Sequence, residues 1–260
     1  MAASCPQELI DFAGVLADAA RPIVRRHFRT PIAVATKEDD TPVTAADREA
    51  ETAMRDLIAG RYPAHGILGE EHGTVRGDGE YVWVLDPIDG TRAFIAGKPL
   101  FGTLVALVRD GLPILGIIDQ PVLGERWIGA AGQVTTFNGE RVRARRCDHL
   151  GAALLNTTSP DLFVGDDAVM FSQLRRAVRH TQYGGDCYAY GLLASGFIDL
   201  VVEAGLKSYD FCALVPVIAG AGGAVSDWQG RPVTLASDGR VVAAGDPALL
   251  PRAVETLNLP

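Results

Sequence analysis

A short apolar run that ends on an aspartate constrains this chain more than any other feature of its sequence. Residues 81–85 (Tyr-Val-Trp-Val-Leu) are typical of a buried strand, and the motif Asp86-Pro-Ile-Asp89-Gly-Thr91 follows directly. Two carboxylates three residues apart, with a proline between them, have a fixed local geometry in which both can face one hard cation. Gly90 lets the backbone approach a ligand closely, and Thr91 offers a hydroxyl and an N–H near a predicted helix start, which suits a phosphate. The alternative interpretation is an ordinary Asp-Pro and Asp-Gly turn.

The N-terminal half is predicted to form two helices followed by a mostly antiparallel sheet. Apolar residues at helical spacing predict a helix over 7–28, and the polar residues 36–44 predict a loop after it. Thr44 and Asp47 fit a capping box at the start of a second helix. We expect this second helix over 45–61, strands at 66–69, 81–85, 102–108 and 113–118, and a further turn at Asn138-Gly139.

Alternating patterns in the C-terminal half predict an α/β arrangement. The expected strands are 152–155, 198–202 and 241–244, and the expected helices are 166–178, 187–195, 211–219 and 247–257. No linker of low complexity separates the two halves. We therefore expect two subdomains that share an interface, an α+β subdomain over 1–148 and an α/β subdomain over 149–260.

Composition and charge narrow the choice of partner and compartment. The 260 residues are 48% hydrophobic and 22% charged, which is typical of a folded chain. A net charge of -8 argues against nucleic acid as a partner, because like charges repel. The four cysteines form no C-x-x-C pair, the N-terminus lacks a signal-peptide pattern, and no apolar run approaches the roughly 20 residues of a membrane span. We expect a cytoplasmic protein with reduced thiols and no membrane partner.

Three further carboxylates stand beside predicted elements, where each could serve a metal site. Glu70 follows the strand predicted at 66–69, Asp210 precedes an apolar helix, and Asp47 lies in the first turn of the second helix. Each also has an ordinary interpretation. Glu70 could be a solvated surface acid, Asp210 a helix N-cap, and Asp47 simply part of the capping box.

Taken in order, these residues match one known family. Glu70, then the motif from Asp86 to Thr91, then Tyr209-Asp210 with Gly220-Ala-Gly-Gly223 shortly after, resembles the inositol-monophosphatase-like, lithium-sensitive phosphatase superfamily. The resemblance runs from the first predicted helix to the last predicted strand. It implies a layered α/β/α/β/α sandwich, a homodimer, and hydrolysis of a small-molecule phosphate monoester with Mg²⁺.

The resemblance also implies a set of metal ligands. Glu70, Asp86 and the backbone carbonyl of Ile88 would hold one Mg²⁺ ion, and Asp86, Asp89 and Asp210 would hold a second. Members of the family often recruit a third, weaker ion near Glu70. Such a group of cations stabilises both the attacking and the leaving oxygen in an in-line displacement.

Catalytic roles follow from the same resemblance. Metal-activated water would attack the phosphorus, with Glu70 among the catalytic residues and Thr91 and Asp47 as the hydroxyl–carboxylate pair that helps activate it. The phosphate would rest on the N–H groups around Gly90 and Thr91. Lys37 resembles a basic residue of a loop beside the metal site, or is a solvated surface lysine.

The stretch 183–223 resembles the histidinol-phosphate phosphatases of this superfamily more than its inositol enzymes. This resemblance implies hydrolysis of L-histidinol phosphate to L-histidinol and phosphate, a step of histidine biosynthesis. Gly185, Asp186 and Glu203, together with Asp210, would then contact the substrate, and the two further carboxylates suit a leaving group that carries an ammonium group. Asp186 could instead cap the following helix, and Glu203 could be a surface acid at a strand end. Arg92 could lie near the phosphate or near a partner acid.

Three alternatives stay open. The same chemistry could act on inositol monophosphate, fructose bisphosphate or a phosphoadenosine nucleotide. A phosphatase of the haloacid-dehalogenase type uses an aspartyl nucleophile in a D-x-D arrangement, but Asp86 and Asp89 are spaced D-x-x-D. A scaffold protein that kept the fold without activity is the third alternative, and metal dependence of an activity would exclude it.

Overall fold

The computed structural model describes residues 4–31, 34–36, 42–77 and 79–259. The first two helices, α1 (Gln7–His27) and α2 (Ala45–Arg61), lie where the apolar spacing predicts them. The capping box at the start of α2 is also confirmed, because the Asp47 carboxylate accepts the Thr44 N–H at 2.8 Å while the Thr44 hydroxyl oxygen accepts the Ala46 N–H at 3.2 Å.

Between these helices, β1 (Val34–Thr36) and β2 (Pro42–Thr44) pair as antiparallel strands. The loop predicted over 36–44 is therefore wrong at both of its ends. Residues there belong to paired strands, although their polar sequence predicts irregular structure. The middle of that loop, including Lys37, lies outside the described residues.

An eight-stranded sheet follows. Its strands are β3 (Gly66–Gly69), β4 (Gly73–Val75), β5 (Tyr81–Asp89), β6 (Gly102–Arg109), β7 (Leu112–Gln120), β8 (Glu125–Ala130), β9 (Thr136–Phe137) and β10 (Glu140–Arg141). Their spatial order is β10-β9-β8-β7-β6-β5-β3-β4. The pairing is antiparallel apart from β3 and β5, which run parallel, so the mostly antiparallel sheet is confirmed. Strands β4, β8, β9 and β10 are not among those predicted from the sequence, although β9 and β10 flank the turn expected at Asn138-Gly139.

Strand β5 extends beyond its predicted end. It continues to Asp89 instead of stopping at Leu85, and its register with β6 shifts between Asp86 and Asp89. Pro87 lies in this irregular stretch, where a residue without an N–H is tolerated, and its carbonyl accepts the Thr103 hydroxyl at 2.7 Å. The two aspartates of the motif therefore lie within the strand, at a bulge, and not in a turn after it.

The second sheet has mixed pairing. Its strands are β11 (Leu154–Thr157), β12 (His180–Tyr183), β13 (Leu200–Glu203), β14 (Ala224–Ser226) and β15 (Val241–Ala244). Their order is β12-β11-β13-β15-β14, and β11 runs parallel to both β12 and β13. The carboxyl ends of β11, β12 and β13 consequently lie at one edge of this sheet, which is the edge where open α/β sheets bind ligands.

The remaining helices differ from prediction at prolines. They are α3 (Thr91–Ile95), α4 (Asp166–Ala177), α5 (Asp186–Ala194), α6 (Ser208–Phe211), α7 (Leu214–Gly220) and α8 (Leu250–Leu257). The single helix expected over 211–219 is in fact α6 and α7, with Pro216 in the first turn of α7. The helix expected from 247 begins at Leu250, so that Pro251 also lies in a first turn. Proline fits a first turn because the N–H groups there have no partner within the helix.

Hydrophobic clusters define the layers. Helices α1 and α2 pack on one face of the eight-stranded sheet, α5 and α7 lie between the two sheets, and α4 and α8 cover the outer face of the second sheet. The layered α/β/α/β/α sandwich is thus confirmed. Across the described ranges, no helix is both long and apolar enough to span a bilayer.

Candidate active site

Parallel pairing of β3 and β5 brings the first carboxylates together. Glu70 follows the end of β3, while Asp86 and Asp89 lie at the matching end of β5. The Glu70 N–H donates to the Leu85 carbonyl at 3.2 Å, which holds the two segments side by side. Asp86 is 1% exposed, and its carboxylate accepts the Ile88 N–H at 3.0 Å.

Asp210 reaches the same place from the second half of the chain. It lies in the first turn of α6, where its carboxylate accepts the Lys207 N–H at 2.6 Å, so the capping contact is present. The same carboxylate also joins a cluster, because one oxygen each of Asp86, Asp89 and Asp210 lie within 4.8 Å of one another.

The cluster is electrostatically unfavourable without a cation. Burial, and then the charges of Glu70 and Asp89, raise the pKa of Asp86 well above its usual range. The pKa of Asp89 is likewise raised well above its usual range, by burial and then by Asp186 and Asp210. Burial is also the main cause that raises the pKa of Asp210 to about 7. Burial and neighbouring carboxylates thus raise all three pKa values, and oxygen ligands of this kind fit a hard divalent cation such as Mg²⁺.

Asp47 and Thr91 lie differently from the expected hydroxyl–carboxylate pair. The Thr91 hydroxyl donates to the Ile88 carbonyl at 3.1 Å, so its single proton is not shared with Asp47. One Asp47 oxygen accepts the Thr44 hydroxyl at 2.6 Å. The other Asp47 oxygen is buried and has no hydrogen-bond partner within the described parts of the chain. Burial is the main cause of a raised Asp47 pKa, and the charge of Glu70 adds to it.

A glycine is required at position 90 because the Asp186 side chain leaves no room for a Cβ atom there. Its φ is 93°, in the left-handed region, and a Cβ placed on it would lie 2.9 Å from the Asp186 carboxyl carbon. Gly90 is also the residue immediately before α3, and its carbonyl accepts the Phe94 N–H at 3.0 Å. The backbone around Gly90 and Thr91 therefore lies directly against the Asp186 side chain.

Asp186 is held in an unusual conformation after β12. Gly184, Gly185 and Asp186 have φ values of 89°, 116° and 43°, all in the left-handed region. Asp186 is the first residue of α5 and not its N-cap, and the next residue, Cys187, donates its N–H to Asp89 at 2.5 Å. Burial and then Glu203 raise the pKa of Asp186 to about 7, while the Arg92 guanidinium lowers it.

Glu203 is not the surface acid that a strand end allows. It is 3% exposed, and its Oε1 accepts the Thr158 N–H at 3.0 Å and the Thr158 hydroxyl at 2.5 Å. Its Oε2 accepts the Tyr190 hydroxyl at 3.1 Å. Burial is the main cause that raises the Glu203 pKa, and these hydrogen bonds lower it. Sequence reasoning missed Thr158 and Tyr190, because no local pattern marks either one.

A cavity of about 680 Å³ joins these parts. Its lining includes most of the residues predicted to bind metal, phosphate or substrate, with Thr158 in addition: Glu70, Asp89, Gly90, Thr91, Arg92, Thr158, Gly185, Asp186 and Asp210. Glu203 does not line this cavity but lies behind Thr158, and its neighbour Ala204 is in the lining. A carboxylate cluster with two members, Asp89 and Asp210, in the wall of a cavity of this size is suited to a metal ion and a small molecule.

The fold and the cluster define a class, the metal-dependent phosphatases that act on small phosphate monoesters. Residues 6–258 match the model of the inositol monophosphatase family, and the chain therefore belongs to that family. Members of this family are metal-dependent.

Individual relatives differ in the activity for which they are named. A chloroplastic bifunctional phosphatase, IMPL2, from Arabidopsis thaliana is 50% identical over 97% of this chain and 78% of its own length. A histidinol-phosphatase from Chlorobaculum parvum is 34% identical over 88% of this chain and 89% of its own. The solved structure of an inositol monophosphatase from Zymomonas mobilis is 51% identical, has a TM-score of 0.90, and covers 97% of this chain and 98% of its own.

Proposed function

We propose that this protein is a Mg²⁺-dependent histidinol-phosphatase, which hydrolyses L-histidinol phosphate to L-histidinol and phosphate. The observation that carries the proposal is the pair of carboxylates beside the cavity that the metal cluster does not use, Asp186 and Glu203. Inositol carries no positive charge, whereas histidinol phosphate carries an ammonium group and an imidazole that can be protonated. Carboxylates next to the leaving group stabilise such cations.

In this proposal, Asp86, Asp89 and Asp210 hold divalent cations, with Glu70 and the Ile88 carbonyl completing the ligand set for two or three Mg²⁺ ions. When bound, these ions would neutralise the phosphoryl oxygens and lower the pKa of water. The N–H groups around Gly90 and Thr91 would hold the phosphate beside them.

The positions of Asp47 and Thr91 support a role for both in proton transfer. Asp47 keeps one buried oxygen without a hydrogen-bond partner among the described residues and has a raised pKa, and Glu70 is close enough to contribute to that rise. We infer that Asp47 accepts a proton from the attacking water. The transfer is either direct or runs through the Thr91 hydroxyl, which must then rotate away from the Ile88 carbonyl. Glu70 would orient the attacking water.

Relatives support the same substrate. Three histidinol-phosphatases, from Chlorobaculum parvum, Mycobacterium tuberculosis and Streptomyces coelicolor, are 34%, 33% and 34% identical to this chain. We extend the proposal to a place in histidine biosynthesis, in the cytoplasm and as a homodimer of two-subdomain protomers divided near residue 148. Light scattering during gel filtration would test the dimer, which would elute with twice the chain mass of 27.6 kDa.

Inositol monophosphate is the second candidate substrate. It is favoured by the Zymomonas mobilis structure, whose protein is called an inositol monophosphatase and is 51% identical to this chain. The two candidates differ in charge and not in the phosphate, so they share the metal cluster and diverge at Asp186 and Glu203.

The test is phosphate release from a panel of esters. Purified protein with Mg²⁺ is given L-histidinol phosphate, inositol 1-phosphate, fructose 1,6-bisphosphate or phosphoadenosine phosphate, and each reaction is repeated with EDTA. We expect kcat/KM to be highest for L-histidinol phosphate and the activity to be abolished by EDTA. A higher kcat/KM for inositol 1-phosphate would support the second candidate, and activity that survives EDTA would contradict the metal mechanism.

A further inference from the structure

A chain of hydrogen bonds runs from the core to the wall of the cavity. Tyr190 is fully buried on α5, Glu203 ends β13, and Thr158 follows the end of β11. Tyr190 donates its hydroxyl to one oxygen of Glu203, and Thr158 donates both its N–H and its hydroxyl to the other. Of the three, Thr158 lines the cavity.

The direction of these hydrogen bonds determines whether Thr158 can donate to or accept from a molecule in the cavity. The Thr158 hydroxyl donates to Glu203, so its single proton points at that carboxyl group and away from the cavity. The Thr158 oxygen can therefore only accept from a molecule in the cavity. Donation to the Glu203 carboxyl group polarises the Thr158 hydroxyl and strengthens its oxygen as an acceptor.

Asp186 is a second hydrogen-bond acceptor on the same side of the cavity as Thr158. Asp186 follows β12, the strand that pairs with β11, and Thr157 is in register with Tyr183 at the ends of these two strands. Thr158 and Asp186 thus lie after neighbouring strand ends, and both line the cavity. The wall formed by Thr158 and Asp186 accepts hydrogen bonds at two points.

From this geometry we propose that Thr158 is a specificity-determining residue, which accepts an N–H of the leaving group, and that Tyr190 is a positioning residue, which acts on Thr158 through Glu203. An ammonium group has donors and no acceptor, so it fits this wall, whereas a leaving group without donors gains nothing from it. The inference rests on the proposed function and adds to it the groups that would bind the N–H donors of the substrate.

Helix α5 provides a matched control. Tyr188 and Tyr190 lie on the same helix, and each donates its hydroxyl to a glutamate, Tyr188 to Glu125 at 2.8 Å and Tyr190 to Glu203 at 3.1 Å. Glu125 begins β8 and does not line the cavity. Removing either hydroxyl costs one similar hydrogen bond, but only the Tyr190 hydroxyl is connected to the cavity wall.

The experiment compares two substrates in four variants. For wild type, Thr158→Val, Thr158→Ser, Tyr190→Phe and Tyr188→Phe, kcat and KM are measured with Mg²⁺ for L-histidinol phosphate and for 4-nitrophenyl phosphate, whose leaving group has no donor. The readout is the ratio of the two kcat/KM values. Turnover of 4-nitrophenyl phosphate and the circular dichroism spectrum report whether each variant is folded.

We expect the ratio to fall about five- to twentyfold in Thr158→Val and about two- to fivefold in Tyr190→Phe, with the loss in KM for L-histidinol phosphate. Thr158→Ser, which keeps the hydroxyl, should stay within about twofold of wild type, and Tyr188→Phe should leave the ratio unchanged. A Tyr190→Phe variant that behaves like Tyr188→Phe, or a Thr158→Val variant that loses both substrates equally, would overturn the inference while leaving the proposed function intact. A wild-type enzyme without preference for L-histidinol phosphate would overturn both.

Discussion

Replacing Asp210 by asparagine should stabilise the metal-free protein and abolish its activity. Burial and neighbouring carboxylates raise the pKa of Asp210 from 3.8 to about 7 in the folded chain. Below pH 3.8 the Asp210 carboxyl group is protonated in both the folded and the unfolded state, so it does not lower the free energy of unfolding. As pH rises through 3.8 toward 7, only the unfolded state releases the proton freely, and stability falls.

The size of this effect follows from the same shift. A rise of about three pKa units corresponds to about 4 kcal/mol, since one unit is worth about 1.4 kcal/mol. The cluster oxygens lie within 4.8 Å of one another, and at that upper limit the Coulomb repulsion between two ionised oxygens is about 3.5 kcal/mol at an effective dielectric constant of 20, a similar figure. Because the pKa values of Asp86 and Asp89 are raised as well, the three carboxyl groups share this cost, and we expect Asp210→Asn to gain about 1–3 kcal/mol at pH 8.

The assay is urea unfolding in EDTA at pH 4 and pH 8, repeated at pH 8 with Mg²⁺. The gain should appear at pH 8 and vanish near pH 4, and Mg²⁺ should stabilise the wild type more than the variant. Asp199→Asn is the control: Asp199 is a buried carboxylate, 2% exposed, that accepts two hydrogen bonds of 2.6 Å from Arg145, so its replacement should cost about 3 kcal/mol. If Asp210→Asn destabilises the metal-free protein at pH 8 as Asp199→Asn does, the interpretation of the cluster is wrong.

Three further predictions concern the site and the packing beneath it. Asp89→Asn should reduce kcat at least about a thousandfold without changing the circular dichroism spectrum, because it removes a metal ligand; near-normal turnover would exclude Asp89 as a ligand. Glu203→Gln should raise KM for L-histidinol phosphate about tenfold and for 4-nitrophenyl phosphate much less, measured by steady-state kinetics, since it removes a carboxylate from behind Thr158 in the cavity wall; equal effects would remove Glu203 from recognition. Gly116→Ala should lower the free energy of unfolding by about 3 kcal/mol or more in urea, because a Cβ would lie 1.9 Å from the Ala213 carbonyl oxygen; a loss below about 1 kcal/mol would contradict the close packing.

Local patterns were sufficient for much of the fold. Helix α2 was predictable from Thr44 and Asp47, because a capping box involves residues that are close in sequence. Strand β5 was predictable from its apolar run, but its extension through Pro87 to Asp89 was not, since the bulge depends on pairing with β6. Strand β12 is polar, with the sequence His-Thr-Gln-Tyr, and its pairing with β11 makes it a strand.

Some residues of the candidate site could likewise be predicted from a local motif, and others could not. Asp86 and Asp89 are marked by a local motif, whereas the approach of Asp210 could be expected only from the resemblance to a family. Thr158 and Glu203 are 45 residues apart, and the parallel pairing of β11 and β13 brings them into contact. No spacing rule in the sequence marks a contact of that kind.

Crystals of the protein soaked with Mn²⁺, phosphate and L-histidinol would test the central claim most directly. We expect anomalous peaks for Mn²⁺ among Asp86, Asp89 and Asp210, and the phosphate on the backbone around Gly90. The amino group of L-histidinol should lie within hydrogen-bond distance of Asp186. Manganese bound away from the three aspartates, or L-histidinol bound with its amino group turned away from Asp186, would contradict the proposed metal-dependent hydrolysis of L-histidinol phosphate at this site.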